Sequence, residues 1–435
     1  MVNVDGKRLS VSDVAKIKRD LKVVLKNDYT VDKTYKLYEY SERTGEYSLP
    51  LYWASKNLSI DLKVEFKDLS DINPGKLTSS PRPHQVDCMK ACEVEIQKPW
   101  GGGIINMATG SGKTFTALMF IEKIKKKTLI VVHTIELLQQ WTKSIKQFLP
   151  ECRIGHIQGK KFQIDDVDIV IGMLQTISMK MEYSPKTFDD FGLVIYDEVQ
   201  FLGAEVFSKA LLKTRTRYTF GLSATIERQD GLEYVFKNHI GDVLYSNISS
   251  NLKQYTDIRY HYVDVGLKEL VTYNGSPNIA GMITELSNNK KRTLLIVDEI
   301  KKLMEEDGRN ILVLSDRVQH LKDLYKLLGS DSGLYIGEMK EEAKLLSKSK
   351  KVLLATYHIA SVGFDHPKLN TLVFATPRST ITQAVGRIYR KQHLITPLIV
   401  DFIDTFSVFP YQFKKRKKTF SKLIKQRQEE GCLFE

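Results

Sequence analysis

Met107-Ala-Thr-Gly-Ser-Gly-Lys-Thr114 decides how this chain is read. It follows a short β-branched run, Gly103-Ile-Ile-Asn106, and precedes an apolar stretch of helical length. That is the strand–loop–helix setting of a phosphate-binding loop. Glycines 110 and 112 let backbone N–H groups approach phosphate oxygens, and the N-terminus of the next helix adds a favourable dipole. Lys113 is expected to reach the β- and γ-phosphates of a nucleotide, with the Thr114 hydroxyl on its Mg²⁺. Met107 stands where the strict pattern has its first glycine, while Gly110-Ser-Gly-Lys-Thr114 is intact.

Outward from this loop, short β-branched runs recur at helical intervals: Thr128–Val132, Asp168–Ile171, Leu193–Tyr196 and Tyr218–Gly221. Such runs predict a parallel sheet buried on both faces. In doubly wound sheets the ligand crevice lies beyond the carboxyl ends of the strands. Leu193-Val-Ile-Tyr-Asp-Glu-Val-Gln200 puts two carboxylates at such an end: Asp197 for the Mg²⁺ shell and Glu198 as the base polarising the attacking water. A second series, Asn310–Leu314, Lys351–Ala355, Thr371–Phe374 and Leu398–Val400, follows the polar stretch 274–292. It predicts a second α/β domain.

The first 75 or so residues read as a separate unit. Thr34–Tyr40, a turn at Ser41–Gly45 and Glu46–Pro50 form a candidate hairpin, and Asn73-Pro74-Gly75 marks a boundary. Tyr35, Tyr38, Tyr40, Tyr47, Tyr52 and Trp53 are candidates for base stacking, although alternating aromatics in short strands more often build a core. The expected domains are 1–76, 77–250 and 251–435. The last ends in Lys414-Lys-Arg-Lys-Lys418, a helix or tail that is either a solvated face or a phosphate contact.

Composition agrees. The 435 residues are 42% hydrophobic and 27% charged, enough for large cores and against global disorder. A net charge of +13 favours a polyanionic partner. Four cysteines suggest no disulfide framework, and a reducing compartment is expected. His84, Cys88 and Cys92 share a helix face, which reads as packing rather than a metal site in the absence of a second ligand pair. With no apolar leader and no spanning segment, the expectation is a soluble cytoplasmic protein without a signal peptide, in the host cytoplasm if the source is a phage or virus, and no membrane partner.

Taken in order, these motifs resemble those of superfamily 2 helicases from about Pro81 to Arg390. The resemblance implies an α/β fold of two tandem RecA-like parallel-sheet domains, with a small N-terminal α+β domain. It implies ATP and Mg²⁺ as cofactors, and a nucleotide site drawing on Arg82, Gln85 (against adenine), Thr109, Gly110, Ser111, Gly112, Lys113, Thr114, Gly363 and Asp365. Asp197-Glu-Val-Gln200 resembles the DExH/DExD-type box, with Gln200 in the last place. Ser223-Ala-Thr225 matches the motif linking hydrolysis to domain movement. His133 with Thr134, Gln175 with Thr176, and Thr356 fall where the family contacts the nucleic-acid backbone. Gln383-Ala-Val-Gly-Arg-Ile-Tyr-Arg390 matches the motif whose arginines, here Arg387 and Arg390 at i and i+3 of a helix, act as fingers on the transferred phosphoryl group.

Gly221–Gly231 is similar to the XPB-like group, which includes phage UvsW-type and large-DNA-virus helicases and carries an Arg-Glu-Asp element after the Ser/Thr-Ala-Thr motif. Here that element is Arg228-Gln229-Asp230, so Arg228 and Asp230 join Gln200, Ser223 and Thr225 as coupling residues. The implied activity is a monomeric ATP-dependent DNA helicase that remodels branched or forked duplexes, mostly independent of sequence. A transcription-associated translocase, a restriction-type motor subunit and a non-catalytic binding module are the rival readings.

Overall fold

A computed structural model describes the chain except for residues 26–32, 63, 65, 67–68, 109, 181–182, 184, 215, 227, 229, 248–254, 338, 362–365, 390, 392 and 432–435, and the side chains of 185, 341, 360–361 and 422–431. Two compact units emerge. One comprises Met1–Met107 with Gly112–Ile248, the other Ser249–Glu435 with Ala108–Ser111. No helix among the described residues is long and apolar enough to cross a membrane.

The first unit is built on an eight-stranded sheet, ordered 243–247, 101–107, 218–223, 193–197, 128–132, 169–173, 154–158 and 161–162. Every pairing is parallel except the last. The strands Gly101–Met107, Thr128–Val132 and Ile169–Met173 are buried along their whole length, as their unbroken apolar runs require. Close approach explains the glycines that open the first of them: a Cβ on Gly102 would lie 2.0 Å from the Thr219 carbonyl oxygen. Phe120, on the helix Lys113–Ile124, stacks on Phe220 of the sheet with ring centroids 4.6 Å apart.

At the start of the chain, Val2–Asp5, Glu46–Leu49 and Glu39–Ser41 form an antiparallel sheet. The expected hairpin is its second half. The first part of the run at Thr34 instead belongs to Lys33–Lys36, which pairs with Lys22–Leu25. Tyr38, Tyr47 and Trp53 are core residues, packed with Leu232 and Val235 beside the helix Glu233–Ile240. Tyr40 stays half exposed. Cys88 and Cys92 are buried on the helix Pro83–Gln97, where the neighbouring Cys92 sulfur and burial push the Cys88 thiol up.

The second unit has a six-stranded, wholly parallel sheet, ordered 257–263, 398–404, 371–374, 311–315, 352–356 and 332–335. Apolar clusters cover both faces. The strand Leu398–Asp404 carries a buried ion pair on each face. Arg292 donates to Asp404 at 2.8 and 2.9 Å from the helix Lys290–Glu305, and Arg416 donates to Asp401 at 2.7 Å from the helix Phe409–Gly431.

Candidate active site

The phosphate-binding loop leaves the sheet at Met107 and turns into the helix Lys113–Ile124. Gly110 and Gly112 have φ of 82° and 90°, left-handed backbone that glycine adopts without a Cβ penalty. Met107 is still a buried strand residue, so the position that departs from the strict pattern needs no special backbone. The Lys113 ammonium donates to the Met107 carbonyl at 3.0 Å, and the buried Ser111 hydroxyl to that of Ala108 at 2.7 Å. Thr114 follows in the first turn of the helix; Thr109 lies outside the described residues.

Gln85 abuts this loop from the start of the helix Pro83–Gln97. Its side-chain amide donates to the Gly112 carbonyl at 3.2 Å, and its oxygen accepts from the Arg82 N–H at 2.8 Å. A Cβ on Gly112 would sit 2.5 Å from the Gln85 amide nitrogen. The φ of 90° is what favours glycine here, and a side chain would also have to displace the Gln85 amide.

Asp197 ends the strand Leu193–Asp197, and Glu198 follows at φ 54°. A non-glycine residue there is strained by roughly 1–2 kcal/mol. Its N–H donates to the Asp197 carboxylate at 3.0 Å. The other Asp197 oxygen accepts from the indole N–H of Trp141 at 2.9 Å. Trp141, fully buried on the amphipathic helix Ile135–Phe148, was not anticipated as a site residue. Burial first, then the charge of Glu198, pushes the Asp197 carboxyl up to about 6, against the opposing pull of the Trp141 bond and Lys113. Two adjacent carboxylates within reach of the Lys113 charge fit Mg²⁺, which takes one or two carboxylates plus substrate phosphates and water. Thr114 and Asp197 would hold it, and it would neutralise phosphate charge.

Beyond Glu198 the chain makes a five-residue 3₁₀ turn, Val199–Gly203. The Gln200 amide donates to the Glu198 carboxylate at 2.8 Å. The Ser223 hydroxyl lies 2.7 Å from both the Gln200 side-chain oxygen and the Thr225 carbonyl, so its single hydrogen serves one at a time. The Thr225 N–H donates back to it at 2.9 Å. On the far side of the turn the Arg228 guanidinium donates to the Gln200 carbonyl and pairs with both Asp230 oxygens, at 2.8 and 2.5 Å. This pairing holds the Asp230 carboxyl below its ordinary value. A Cβ on Gly203 would meet the Arg228 side chain at 2.7 Å. The Tyr35 hydroxyl donates to the Gly203 carbonyl at 3.3 Å. All five residues expected to couple hydrolysis to movement therefore share one hydrogen-bonded cluster.

The expected backbone-contacting residues also converge. The Gln175 amide donates to the His133 carbonyl at 2.6 Å, and the His133 ring stacks on Phe201 at 3.9 Å. Phe201 is a second residue that sequence reasoning passed over. Thr134 is buried and caps the helix Ile135–Phe148 by accepting from the Leu137 N–H at 3.3 Å, while the Thr176 hydroxyl accepts from the Gly159 N–H at 3.1 Å. The Gln175, Thr134 and Thr176 side chains each make a local bond, and the His133 ring a stacking contact.

In the second unit Thr356 ends the strand Val352–Thr356 and its hydroxyl accepts from the Ile359 N–H at 3.4 Å. The continuous helix expected for Gln383 onward is not found. A four-residue helix, Thr382–Val385, tightens at Gly386 into the 3₁₀ turn Gly386–Tyr389. The Gly386 N–H is shared between the Ala384 and Thr382 carbonyls. Glycine weakens a helix interior and 3₁₀ geometry is common at helix ends. Arg387 is buried, and the Tyr389 hydroxyl bonds Thr256. Gly363, Asp365 and Arg390 lie outside the described residues.

Residues 78–228 match the family model described as the res subunit of type III restriction enzymes. A protein of Acanthamoeba polyphaga mimivirus, named "Putative ATP-dependent RNA helicase L396", is 34% identical over 79% of this chain and 68% of its own length. Among solved structures, that of T4 UvsW aligns over 95% of this chain and 94% of its own, at 17% identity and a TM-score of 0.38. Saccharomyces cerevisiae Dbp5, solved bound to RNA and ADP BeF3, covers 80% of this chain and 88% of its own, with 13% identity and a TM-score of 0.54. The last shares the fold of the α/β layers described above. A phosphate-binding loop beside paired carboxylates, together with a virus relative similar over most of both chains, identifies the protein: it belongs to the superfamily 2 helicases.

Proposed function

We propose that this helicase uses ATP and Mg²⁺ to move along DNA and to remodel branched or forked duplexes, by fork reversal and branch migration, in replication, recombination and repair. The observation that carries this reading is the bonded path from Glu198 through Gln200 to Ser223, braced by Arg228 and Asp230. A change at the water-polarising carboxylate has a route through Gln200 to the coupling motif. Lys113, Thr114 and Asp197 bind the nucleotide and its metal; Gln383, Arg387 and Arg390 complete the site on the transferred phosphoryl group. Residues 1–76 serve as a DNA-engaging accessory domain before motor domains 77–250 and 251–435. The molecule works as a cytoplasmic monomer, in the host's cytoplasm if its source is viral.

DNA is preferred to RNA on the Arg228–Asp230 element and its resemblance to the XPB-like group. The name of the mimivirus relative supports a second reading, the unwinding of RNA duplexes. ATP-dependent remodelling measured side by side on forks, four-way junctions, blunt DNA and RNA duplexes separates them. Faster turnover of forks and junctions is expected; equal or faster processing of RNA would overturn the DNA assignment. Lys113→Ala and Glu198→Gln are each expected to abolish ATP turnover while nucleic-acid binding survives at low salt. Full turnover by Glu198→Gln would remove Glu198 from the role of base.

A further inference from the structure

The helix Phe409–Gly431 has two chemically opposite faces. Phe409, Phe413, Arg416 and Phe420 recur at i, i+4, i+7 and i+11 and face the second unit. Phe409, Arg416 and Phe420 are buried, and the Phe413 ring packs edge-on against Tyr260 at 5.4 Å. The side chain of Arg416 is used up internally: it bonds Asp401 at 2.7 Å and the Arg378 carbonyl at 2.8 Å. The opposite face carries Tyr411, Lys414, Lys415 and Lys418, at i, i+3, i+4 and i+7, all exposed. Lys417 is exposed beside them.

Among the described residues no carboxylate pairs with this face. No acidic residue occurs between Asp404 and Glu429. Among the described residues none of the four lysines makes an ion pair. Like charges three and four apart on a helix repel one another, a repulsion that a polyanion lying along this face would relieve. The face is also more than basic. The Tyr411 ring is 62% exposed, with the Lys415 ammonium 4.9 Å from its centroid. A large ring held in water among lysines without ion pairs has the composition of a surface on which an unpaired base stacks while ammonium groups follow the phosphates.

We infer that the outward face of this helix, Tyr411, Lys414, Lys415 and Lys418, is an accessory binding site for single-stranded nucleic acid. From Tyr411 to Lys418 the helix rises ~10 Å, the span of about three stacked nucleotides at ~3.4 Å each. Single strands are the occupant because only unpaired bases expose the ring faces that tyrosine can stack on. The inference rests on reading the chain as a nucleic-acid motor, and its test keeps the two apart.

The test uses the full chain, labelled oligo(dT) and oligo(U), a blunt duplex, and heparin as a base-free polyanion. Lys414→Gln, Lys415→Gln and Lys418→Gln combined should lower the slope of log affinity against log salt for single strands by about 2, at ~0.7 per phosphate contact. Tyr411→Ala should weaken oligo(dT) or oligo(U) binding about tenfold, the loss of one stacked base. It should leave heparin binding unchanged. ATP hydrolysis without nucleic acid should be that of the wild type in every variant, which also reports that the fold is intact. An unchanged salt slope, an equal loss on duplex and single strand, or a Tyr411→Ala variant that binds as well as the wild type would each overturn the site. Failure of the wild type to bind any nucleic acid would instead overturn the motor reading itself.

Discussion

The indole N–H of Trp141 donates to the Asp197 carboxylate, 2.9 Å away, from a ring with no exposed surface. A helix whose inward face would otherwise serve only packing thus holds the carboxylate proposed to bind Mg²⁺ in one orientation, a supporting shell that metal sites commonly need. Trp141→Phe keeps most of the ring and removes the donor. Losing a hydrogen bond to a charged group, worth ~1.5–3 kcal/mol, should lower ATP turnover at least about tenfold. It should also raise the Mg²⁺ concentration needed for half-maximal rate. Steady-state ATPase across a Mg²⁺ series checks both; an unchanged Mg²⁺ requirement would assign Trp141 to packing alone.

Gln200 bridges Glu198 and Ser223. Gln200→Leu preserves bulk and breaks both bonds. Strand displacement or branch migration per ATP consumed is expected to fall by roughly tenfold, with ATPase itself reduced only a few-fold. Ser223→Ala should behave alike, and the double variant should be no worse than the poorer single, because both act on one path. Additive losses would show that the bridge does not transmit.

The Arg292–Asp404 pair is fully buried in the second unit, and Arg292 also donates to the Ala375 carbonyl. Removing one partner leaves a buried charge. Arg292→Ala should cost ~3–5 kcal/mol and lower the Tm of that unit by roughly 10 °C. Arg292→Met with Asp404→Leu should recover most of the loss. Calorimetry of the three proteins is the measurement.

His320 is buried between the Ser315 hydroxyl at 3.1 Å and the Thr293 hydroxyl at 3.5 Å. Burial, followed by the nearby Arg292 charge and against Asp323, lowers its pKa to about 3. The folded state therefore prefers the neutral ring, while the unfolded chain takes up a proton near its ordinary value of ~6.5. The resulting stability is fully present above ~6.5 and is lost as pH falls, by ~1.4 kcal/mol per pH unit, down to the folded value. His320→Asn should flatten that limb in the Tm of the second unit against pH. A limb unaltered by the substitution would place the titration elsewhere.

Sequence made the central strands legible because a sheet buried on both faces demands unbroken apolar runs: Thr128–Val132 and Thr371–Phe374 begin and end where the pattern does. The strands it left unread lie towards sheet edges. Ile154–Gln158 alternates between buried and half-buried residues, and Asp257–Val263 contains Asp257, Arg259 and His261. Such strands pack one face only and resemble surface loops in composition. Glycines and carboxylates advertise their chemistry, so Gly110, Lys113, Asp197 and Ser223 stood out. Trp141 and Phe201 did not, because a large apolar ring in a helix or turn reads as core whether or not its N–H or its π-face serves the site. The helix beginning at Thr382 was read as continuous because motif spacing says nothing of where Gly386 tightens it.

The short turn Val199–Gly203 begins next to Glu198 and ends at a carbonyl that receives the hydroxyl of Tyr35. Arg228 fills the space where even a methyl group on Gly203 would stand. Tyr35 of the N-terminal segment and Glu198 thus stand at the two ends of one five-residue turn. A displacement of Tyr35 has only that short turn to cross before it reaches the glutamate.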